Sequence, residues 1–504
     1  MRVNRHNKEK STISSLTKTG QSALEYMMTY GWAILIIVIV AVILYSMGIF
    51  SPSSSVSFSS SGFSPFTVSS SSCNSIGYKI AVIAGPIPNN ANSLQITKVY
   101  VISAAGANVS SSVYTLPSPV TLKSGSSAVI IVPNVACNAA NIKYSFSAII
   151  QYTYTVPSIG NQIINTSGTV AGTSIAGKPS ILTSYEPLTI THTQTSATPS
   201  PFQQMINMTS TDPGWSSIAT SNFAQNVEFF YYNGSVIPSW LENYTSSKAI
   251  WWLKLPSISN SMVIYMGFAP STTSLFNNVN TGEAPQLSST YGQYDDGANI
   301  FTIYDSFQGT TLSSQWVNNG EPQATVNNGL NLSGGGNGFM ANGAEPSLTL
   351  KTNFFDRNYI IESDLKFFSD NDLYDSFGIG ILNTTSNAAF NVSNSEIVSL
   401  SLSSSLGQDL GHHFQNPQNT ITDINAPLSW GVNQFLIMGM TVTRALSFGS
   451  VNYQPITLTA SDYNPTFQYP MLYSWRYSII RVNWFRIRVY PPNGVMPSVS
   501  FGSV

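Results

Sequence analysis

Most of the chain alternates short apolar runs with polar residues, and one long apolar segment precedes this pattern. Residues 31–50 contain no charged side chain, and a helix of that length spans about 30 Å, the thickness of the hydrocarbon core of a bilayer. Basic residues precede the segment, so the positive-inside rule predicts a cytoplasmic N-terminus and export of everything after Phe50. The pattern therefore predicts a single-pass membrane protein whose C-terminal domains face the outside.

After Phe50 the hydrophobic positions recur with the period of β-strands. The runs YKIAVIAG, LQITKVYVIS, SAVIIVPNV and YSFSAIIQYTYTV are separated by Gly, Pro, Asn and Ser, which is typical of strands joined by turns. Residues 51–62 are rich in Ser and predict a flexible stalk. The predicted fold class is mainly β, with an N-terminal transmembrane helix followed by β-sandwich domains, the first over residues 63–178.

Composition narrows the classes of function. Only 8% of the residues are charged and the formal net charge is −2, so the chain lacks the basic patch that nucleic-acid binding needs, and no nucleic-acid partner is expected. Abundant Ser, Thr and Asn favour an exported protein, and Asn-x-Ser/Thr sequons are compatible with a glycoprotein. The sequons lie at Asn108, Asn165, Asn207, Asn233, Asn243, Asn331, Asn383 and Asn391.

The chain has two cysteines, Cys73 and Cys137, and both lie in the first exported block. An even count in an extracellular setting favours a disulfide, and no Cys-x-x-Cys pair or His cluster indicates a metal instead. A disulfide is predicted; two unpaired buried thiols are the alternative.

A short motif precedes the apolar segment: Lys18-Thr19-Gly20 is followed by Gln21-Ser22-Ala23-Leu24-Glu25. It resembles the class III signal peptide of archaeal type IV pilin-like proteins, and the resemblance implies that a prepilin peptidase cuts between Gly20 and Gln21. Residues 1–20 would then be the signal peptide and residues 21–50 a retained pilin-type helix with Glu25 at its fifth position. In the family this carboxylate pairs with the new α-ammonium of a neighbouring subunit. A plain membrane anchor and a secretory signal peptide are the alternatives; the anchor leaves Glu25 without a role.

Two later segments resemble other families. Residues 185–290 contain Pro-Ser-Trp, Trp-Leu-Lys-Leu-Pro and Ile-Tyr-Met-Gly-Phe, and this order resembles domain of unknown function 2341 (DUF2341), which implies a β-rich domain and no known chemistry. Residues 300–504 contain IYDSFQGTTLSSQWVNNG, YIIESDLKFF and VNWFRIRVYPP. These segments resemble the opening and closing strands of a concanavalin A-like jelly roll, a fold that both lectins and glucanases use.

The strand containing Glu362 is the candidate for glycosidase chemistry. Retaining glucanases of this fold place carboxylates at alternate positions of one strand, where all of them face the cleft. Glu362 and Asp364 share a face, but the third position is Lys366, so the acid and the nucleophile cannot both be filled from this strand. A solvated or ion-paired face is predicted instead, no catalytic residue is assigned, and the protein is predicted not to be an enzyme.

Other polar residues give weaker indications. Asp370, Asp372 and Asp375 form an oxygen-rich loop that resembles a calcium site, but the spacing lacks the EF-hand Gly and terminal Glu. A solvated loop is therefore the first interpretation, no metal site or cofactor is assigned, and calcium is the alternative. His412 and His413 are adjacent and would point to opposite faces of a strand. Most tryptophans are predicted to lie in cores, with one or two as stacking platforms for sugar.

Together these features predict a pilin-like structural or adhesion protein at the cell surface or in a pilus, with a β head that binds glycan or another surface. Its expected partners are membrane lipid, the prepilin peptidase, pilin-like subunits and an extracellular glycan. About 450 exported residues is large for a main repeating subunit, which favours a minor, tip-located or solitary surface protein. The alternative is a membrane-anchored solitary lectin or glycan-acting hydrolase that does not assemble.

Overall fold

A computed structural model gives a mainly β protein with two compact units, Met1–Gly177 and Lys178–Val504. Within the described residues no helix has both the length and the apolarity needed to cross a membrane. Of the predicted helix at 21–50, only four positions are described. The structure describes residues 30, 34, 36, 38, 58–87, 91–105, 112–133, 135–137, 139–156, 159–219, 221, 223–320, 322–334, 346–354, 358–368, 376–385, 395–403, 407–409, 414–415, 421–422, 433–444, 447–455, 468–475 and 478–504.

The first unit is a β-sandwich. Its strands are β1 (Ser59–Gly62), β2 (Phe66–Cys73), β3 (Tyr78–Ala84), β4 (Leu94–Ala105), β5 (Ser112–Leu122), β6 (Ser127–Val132), β7 (Lys143–Val156) and β8 (Gly160–Thr173). A five-stranded sheet in the order β1-β8-β7-β4-β5 faces a three-stranded sheet in the order β2-β3-β6. The alternation seen in the sequence of β7 becomes a strict alternation of buried and less buried side chains, which is why one face of the strand supplies the core.

A disulfide closes the first unit. Cys73 at the end of β2 is bonded to Cys137, with 5.6 Å between the two Cα atoms, and both side chains are buried in the hydrophobic core. The predicted disulfide is confirmed.

The second unit begins with a smaller sandwich, which we call the middle sandwich. Its strands are β9 (Ser184–Thr191), β10 (Phe202–Thr209), β11 (Val227–Phe230), β12 (Val236–Ile237), β13 (Ser239–Tyr244), β14 (Lys248–Leu255), β15 (Ser261–Phe268) and β16 (Thr281–Glu283). A 3₁₀ turn covers Pro213–Ser217, and one short helix, α1, covers Gly297–Ile300. The sheets run β10-β14-β13-β16 and β12-β11-β15-β9-β33, where β33 (Ser498–Phe501) comes from the C-terminal end of the chain. The end of the chain therefore returns to the middle sandwich.

The rest of the second unit is a larger two-sheet sandwich, the jelly roll. Its strands are β17 (Ile303–Asp305), β18 (Trp316–Asn319), β19 (Thr325–Val326), β20 (Leu330–Ser333), β21 (Ser347–Leu350), β22 (Tyr359–Phe368), β23 (Ser376–Leu382), β24 (Ser395–Ser403), β25 (Gly407–Asp409), β26 (Phe414–Gln415), β27 (Ile421–Thr422), β28 (Phe435–Val442), β29 (Ser447–Val451), β30 (Gln454–Pro455), β31 (Tyr469–Trp475) and β32 (Ile479–Val489), followed by a 3₁₀ turn at Pro492–Gly494. One sheet runs β19-β20-β32-β22-β28-β29-β30 with β17 also on β32, and the other runs β18-β21-β31-β23-β24-β25. Apolar side chains of both sheets meet in one core.

The larger sheet of the jelly roll turns its second face toward the middle sandwich. In β22 the side chains of Ile361, Leu365 and Phe367 enter the jelly-roll core, so Glu362 and Asp364 point to the opposite face. On that face Trp484 of β32 packs against Trp240 and Trp252 of the middle sandwich. The charged positions of β22 thus lie in a seam between two packed sheets.

Candidate functional site

The seam contains a buried ion network built on Glu362. Arg486 donates from Nε to Glu362 Oε2 at 2.7 Å, and Arg488 donates from Nη2 to Oε1 at 2.7 Å. Strand β22 pairs with β32, and Glu362 stands opposite Arg486 in the register, so the sheet itself brings the charges together. Burial opposes ionisation of Glu362, but the two guanidiniums outweigh it and hold the pKa of this carboxyl below its usual value.

A second carboxylate reaches the same network from the middle sandwich. Glu242 on β13 lies 2.7 Å from Nη1 of Arg486 and accepts a hydrogen bond from Nε1 of Trp252 at 2.8 Å. The hydroxyl of Tyr453 also donates to Glu242 and accepts from Nη2 of Arg486 at 2.7 Å. Glu242 and Arg486 therefore bond the middle sandwich to the jelly roll.

Aromatic rings enclose the central guanidinium. Arg486 is fully buried, and its Cζ atom lies 4.4 Å from the ring centroid of Trp484 and 4.6 Å from those of Trp252 and Phe301. Cation–π attraction is strongest where the cation has lost its water, so the rings replace part of the hydration that Arg486 gives up.

The backbone at the β29–β30 turn, which carries Tyr453, adopts a strained conformation. Asn452 and Tyr453 both adopt positive φ, 49° and 67°, and Tyr has no intrinsic preference for this left-handed region. Such conformations persist where the surroundings over-determine them, and here the two hydrogen bonds of the Tyr453 hydroxyl to the ion network do so.

Asp364, unlike Glu362 and Glu242, has no cationic bonding partner among the described contacts. Strand β32 has a bulge at this point, because Asp364 pairs with Trp484 and Leu365 already pairs with Val482. The extra residue, Asn483, donates from Nδ2 to Asp364 Oδ2 at 2.7 Å. Burial first, and then the charge of Glu242, raise the pKa of Asp364 to about 7, against the opposing hydrogen bond from Asn483.

A cavity of about 260 Å³ opens beside Asp364 and Glu242. Two buried groups of its lining have no hydrogen-bond partner among the described residues: the donor Nε1 of Trp484 and the acceptor Oε1 of Glu242. Apart from the carboxyl of Asp364, the other polar side chains of the lining are uncharged amides. Its lining residues are Glu242, Asn243, Gln286, Leu287, Asp364, Phe435, Leu436, Ile437, Asn452, Asn483 and Trp484. We call this space the Asp364 cavity.

A further acidic pair supports the seam from the Asp295-Asp296 turn. Asp295 accepts from Nε1 of Trp240 at 2.9 Å and from the hydroxyl of Tyr304 at 3.0 Å. Burial, and then the neighbouring charge of Asp295, raise the pKa of Asp296 to about 8. The turn thus anchors Trp240, which packs against Trp484 at 5.6 Å between ring centroids.

The structure describes some of the residues that were identified from the sequence, and others lie outside the described part of the chain. Glu362 is ion-paired, as predicted, and Lys366 is separate from it, with Nζ 4.5 Å from the ring of Phe368. Trp240, Trp251, Trp252, Trp316 and Trp484 are buried, as predicted for core tryptophans. The residues Gly20, Gln21, Glu25, Asp370, Asp372, Asp375, His412 and His413 lie outside the described part of the chain.

No metal site was assigned from the sequence, and the described residues contain no group of three or more metal-ligating side chains. Glu242, Asn483 and Arg486 were not identified from the sequence as site residues. The alternating pattern Arg486-x-Arg488 in the closing strand could have indicated the two arginines, because it matches the alternation of Glu362 and Asp364.

Comparison with known sequences gives a distant relative of unassigned function. No family model matches the chain. Uncharacterized protein 562 of Sulfolobus islandicus rod-shaped virus 1 is 28% identical over 350 residues, which cover 63% of this chain and 58% of that protein. The chain therefore matches less than two thirds of the relative's length. The resemblances to the pilin signal peptide and to DUF2341 stay predictions.

Comparison with solved structures finds two glucanases and a carbohydrate recognition domain. An endo-β-1,3-glucanase from Pyrococcus furiosus is 11% identical with a TM-score of 0.29, over 41% of this chain and 95% of that chain. The catalytic domain of a laminarinase from Thermotoga petrophila is 10% identical with a TM-score of 0.29, over 37% of this chain and 96% of that chain. The carbohydrate recognition domain of Emp47p is 12% identical with a TM-score of 0.28, over 37% of this chain and 93% of that chain.

The prediction that the protein is not an enzyme is contradicted, because the similar structures include glycoside hydrolases. The physical flaw in the prediction lies in its premise. It required all the carboxylates to come from strand β22, whereas the folded chain brings Glu242 from the middle sandwich to the same cavity as Asp364.

Proposed function

We propose that the protein binds glycans, and that the Asp364 cavity receives a sugar. The observation that carries this proposal is the pair of unpartnered groups in the lining, the donor Nε1 of Trp484 and the acceptor Oε1 of Glu242. A buried polar group without a partner costs about 1–3 kcal/mol. Ligand hydroxyls can accept from the first group and donate to the second. A sugar carries several hydroxyls.

The rest of the cavity suits the same chemistry. Asn243, Gln286, Asn452 and Asn483 supply amides that both donate and accept, as sugar hydroxyls do. Phe435 and Trp484 supply apolar ring surface against which the carbon face of a sugar packs. Apolar walls with a few convergent polar groups are typical of small-ligand sites.

The direct test removes the ring N–H of Trp484. Trp484→Phe keeps an aromatic ring next to Arg486 but removes Nε1, so it is expected to weaken binding of a glycan roughly tenfold, the effect of about 1.4 kcal/mol for one hydrogen bond. The measurement is isothermal titration with the glycan that binds best in a polysaccharide screen. The matched control is Trp215→Phe, because Trp215 stacks on Tyr244 and does not line the cavity. Equal affinities of Trp484→Phe and the unmodified protein would exclude a role for the cavity.

Glycoside hydrolysis is the second candidate, and the carboxyl pair of the cavity favours it. A glycosidase needs one protonated carboxyl as acid and one carboxylate as base or nucleophile. Asp364, with its pKa raised to about 7, fits the acid, and Glu242, paired with Arg486, fits the carboxylate. If this candidate is right, incubation with the bound glycan releases reducing ends, and Asp364→Asn abolishes the release while binding remains. Binding without release by the unmodified protein leaves glycan recognition alone.

The sequence pattern of the N-terminus supports display of this site on a cell surface. We propose that residues 1–20 are removed by a prepilin peptidase and that Glu25 then pairs with the α-ammonium of Gln21 from a neighbouring subunit. Mass spectrometry of the mature protein should find a chain that begins at Gln21. Glu25→Ala should leave membrane insertion intact and prevent incorporation into filaments. An intact Met1 or a start beyond Phe50 would end the pilin-like proposal.

A further inference from the structure

A second cavity, of about 410 Å³, lies on the other side of the ion network. The network separates the two spaces, because Glu362 and Arg488 line the second cavity, whereas Glu242 and Asp364 line the first. We call the second space the Arg488 cavity. Its lining includes Trp252, Thr441, Phe448, Ser450, Arg488 and Tyr490.

The guanidinium of Arg488 is only partly used by the protein. Its Nε and Nη2 donate to Glu362, at 3.1 Å and 2.7 Å to Oε1, while its buried Nη1 has no hydrogen-bond partner among the described residues. A buried N–H of a cation without an acceptor is costlier than a neutral one. Arg488 therefore still needs an acceptor after its pairing with Glu362 is complete.

The charges around the cavity favour an anionic acceptor. Glu362 is the titratable acid of the lining, and its two oxygens already accept from Arg486 and Arg488. Among the lining residues no Asp or Lys adds a further charge. Arg488 is therefore the cation that meets a ligand, and a carboxylate is one of the two anionic groups, with phosphate, that pair strongly with guanidinium N–H groups.

The remaining walls indicate what carries the carboxylate. Rings of Trp252, Phe448 and Tyr490 give flat apolar surface, and the hydroxyls of Thr441 and Ser450 give hydrogen-bonding groups. The volume is about half as large again as that of the Asp364 cavity. A polar ring with one carboxylate satisfies each of these surfaces.

We propose that the Arg488 cavity binds the carboxylate of an acidic sugar, a hexuronic acid unit of a glycan. The part of this proposal that concerns the sugar ring rests on the proposed glycan binding. The part that concerns the carboxylate rests on Arg488 alone.

Titration with glucuronate and with glucose tests the proposal, read by calorimetry on the full chain. Glucuronate is expected to bind at least tenfold more tightly than glucose, because glucose has no carboxylate to pair with Arg488. Arg488→Lys keeps a cation beside Glu362 but lacks the spare nitrogen, so it should bind both sugars alike. Arg481→Lys is the matched control, since Arg481 lies on the same strand and bonds Asn328 instead; it should keep the preference.

A second variant covers the case in which Arg488→Lys does not fold. Ser450→Leu reduces the space of the Arg488 cavity from strand β29 and leaves the charged groups of the network in place. It should remove glucuronate binding, while Trp484→Phe does not. Equal binding of glucuronate and glucose by the unmodified protein overturns the proposal and leaves glycan binding standing. If acetate binds as tightly as glucuronate, the proposal that the cavity recognises the sugar ring is wrong. If no sugar or polysaccharide binds, the proposed glycan binding is wrong as well.

Discussion

Arg486→Met is expected to destabilise the second unit by about 3–5 kcal/mol, the cost of leaving buried carboxylates without their cation. Arg486 is fully buried and lies 2.7 Å from both Glu242 and Glu362. Met fills part of the same volume, so the loss measures charge and hydrogen bonding more than packing. The measurement is urea unfolding followed by tryptophan fluorescence, which reports on the second unit because the tryptophans after residue 50 all lie between Trp215 and Trp484.

The matched control for this prediction is Arg481→Met on the same strand. Arg481 donates from Nη2 to the carbonyl of Asn328 at 3.0 Å in an exposed position, and single exposed contacts contribute about 1 kcal/mol or less. Equal urea midpoints for Arg486→Met and Arg481→Met would contradict a central role of the ion network in joining the two sandwiches.

Asp364→Asn is expected to stabilise the protein at pH 8 and to leave its stability unchanged near pH 3.5. The folded protein holds the pKa of Asp364 at about 7, above its ordinary value of 3.8, so the folded state retains a proton that the unfolded chain releases. The free energy of unfolding therefore falls as pH rises from about 4 to 7 and stays low above that. A shift of about three pKa units corresponds to a loss on the order of 4 kcal/mol in the free energy of unfolding at high pH. The variant avoids this loss because the Asn side chain does not ionise.

Unfolding free energies of the two proteins, measured at several pH values, check this prediction. Asp296 and Glu186, whose pKa values burial raises to about 8 and about 7, contribute a similar fall in both proteins, so the difference between the proteins isolates Asp364. A variant that is less stable than the unmodified protein throughout this range would mean that Asp364 is ionised and held by a cation.

The local pattern of the sequence was sufficient for much of the fold. Strand alternation in β7 is dictated by the two-residue period of a strand with one buried face, and the structure follows it. In β22 both faces are buried, because its second face packs on the middle sandwich. The jelly roll was predicted from the resemblance of several segments after residue 300 to strands of that fold. The disulfide between Cys73 and Cys137 was predictable because only one pairing is available to two cysteines.

The site was less predictable because its contacts join distant parts of the chain. Glu242 meets Arg486 from another sandwich, and no local pattern encodes how two sandwiches pack. The bulge at Asn483 shifts the alternation of β32 by one residue, which places Asn483 beside Asp364 and changes which side chains share the outer face. From the sequence, Glu362 and Asp364 were therefore assigned to one common environment, although one carboxyl is ion-paired and the other is not.

Glycan binding at the Asp364 cavity is the central claim, and a crystal structure with a bound oligosaccharide tests it most directly. The crystals should be soaked with the oligosaccharide that binds most tightly in the polysaccharide screen. A sugar ring is expected in the cavity, with hydroxyls that accept from Nε1 of Trp484 and donate to Oε1 of Glu242. An oligosaccharide bound elsewhere on the protein, with the cavity free of sugar, would contradict it.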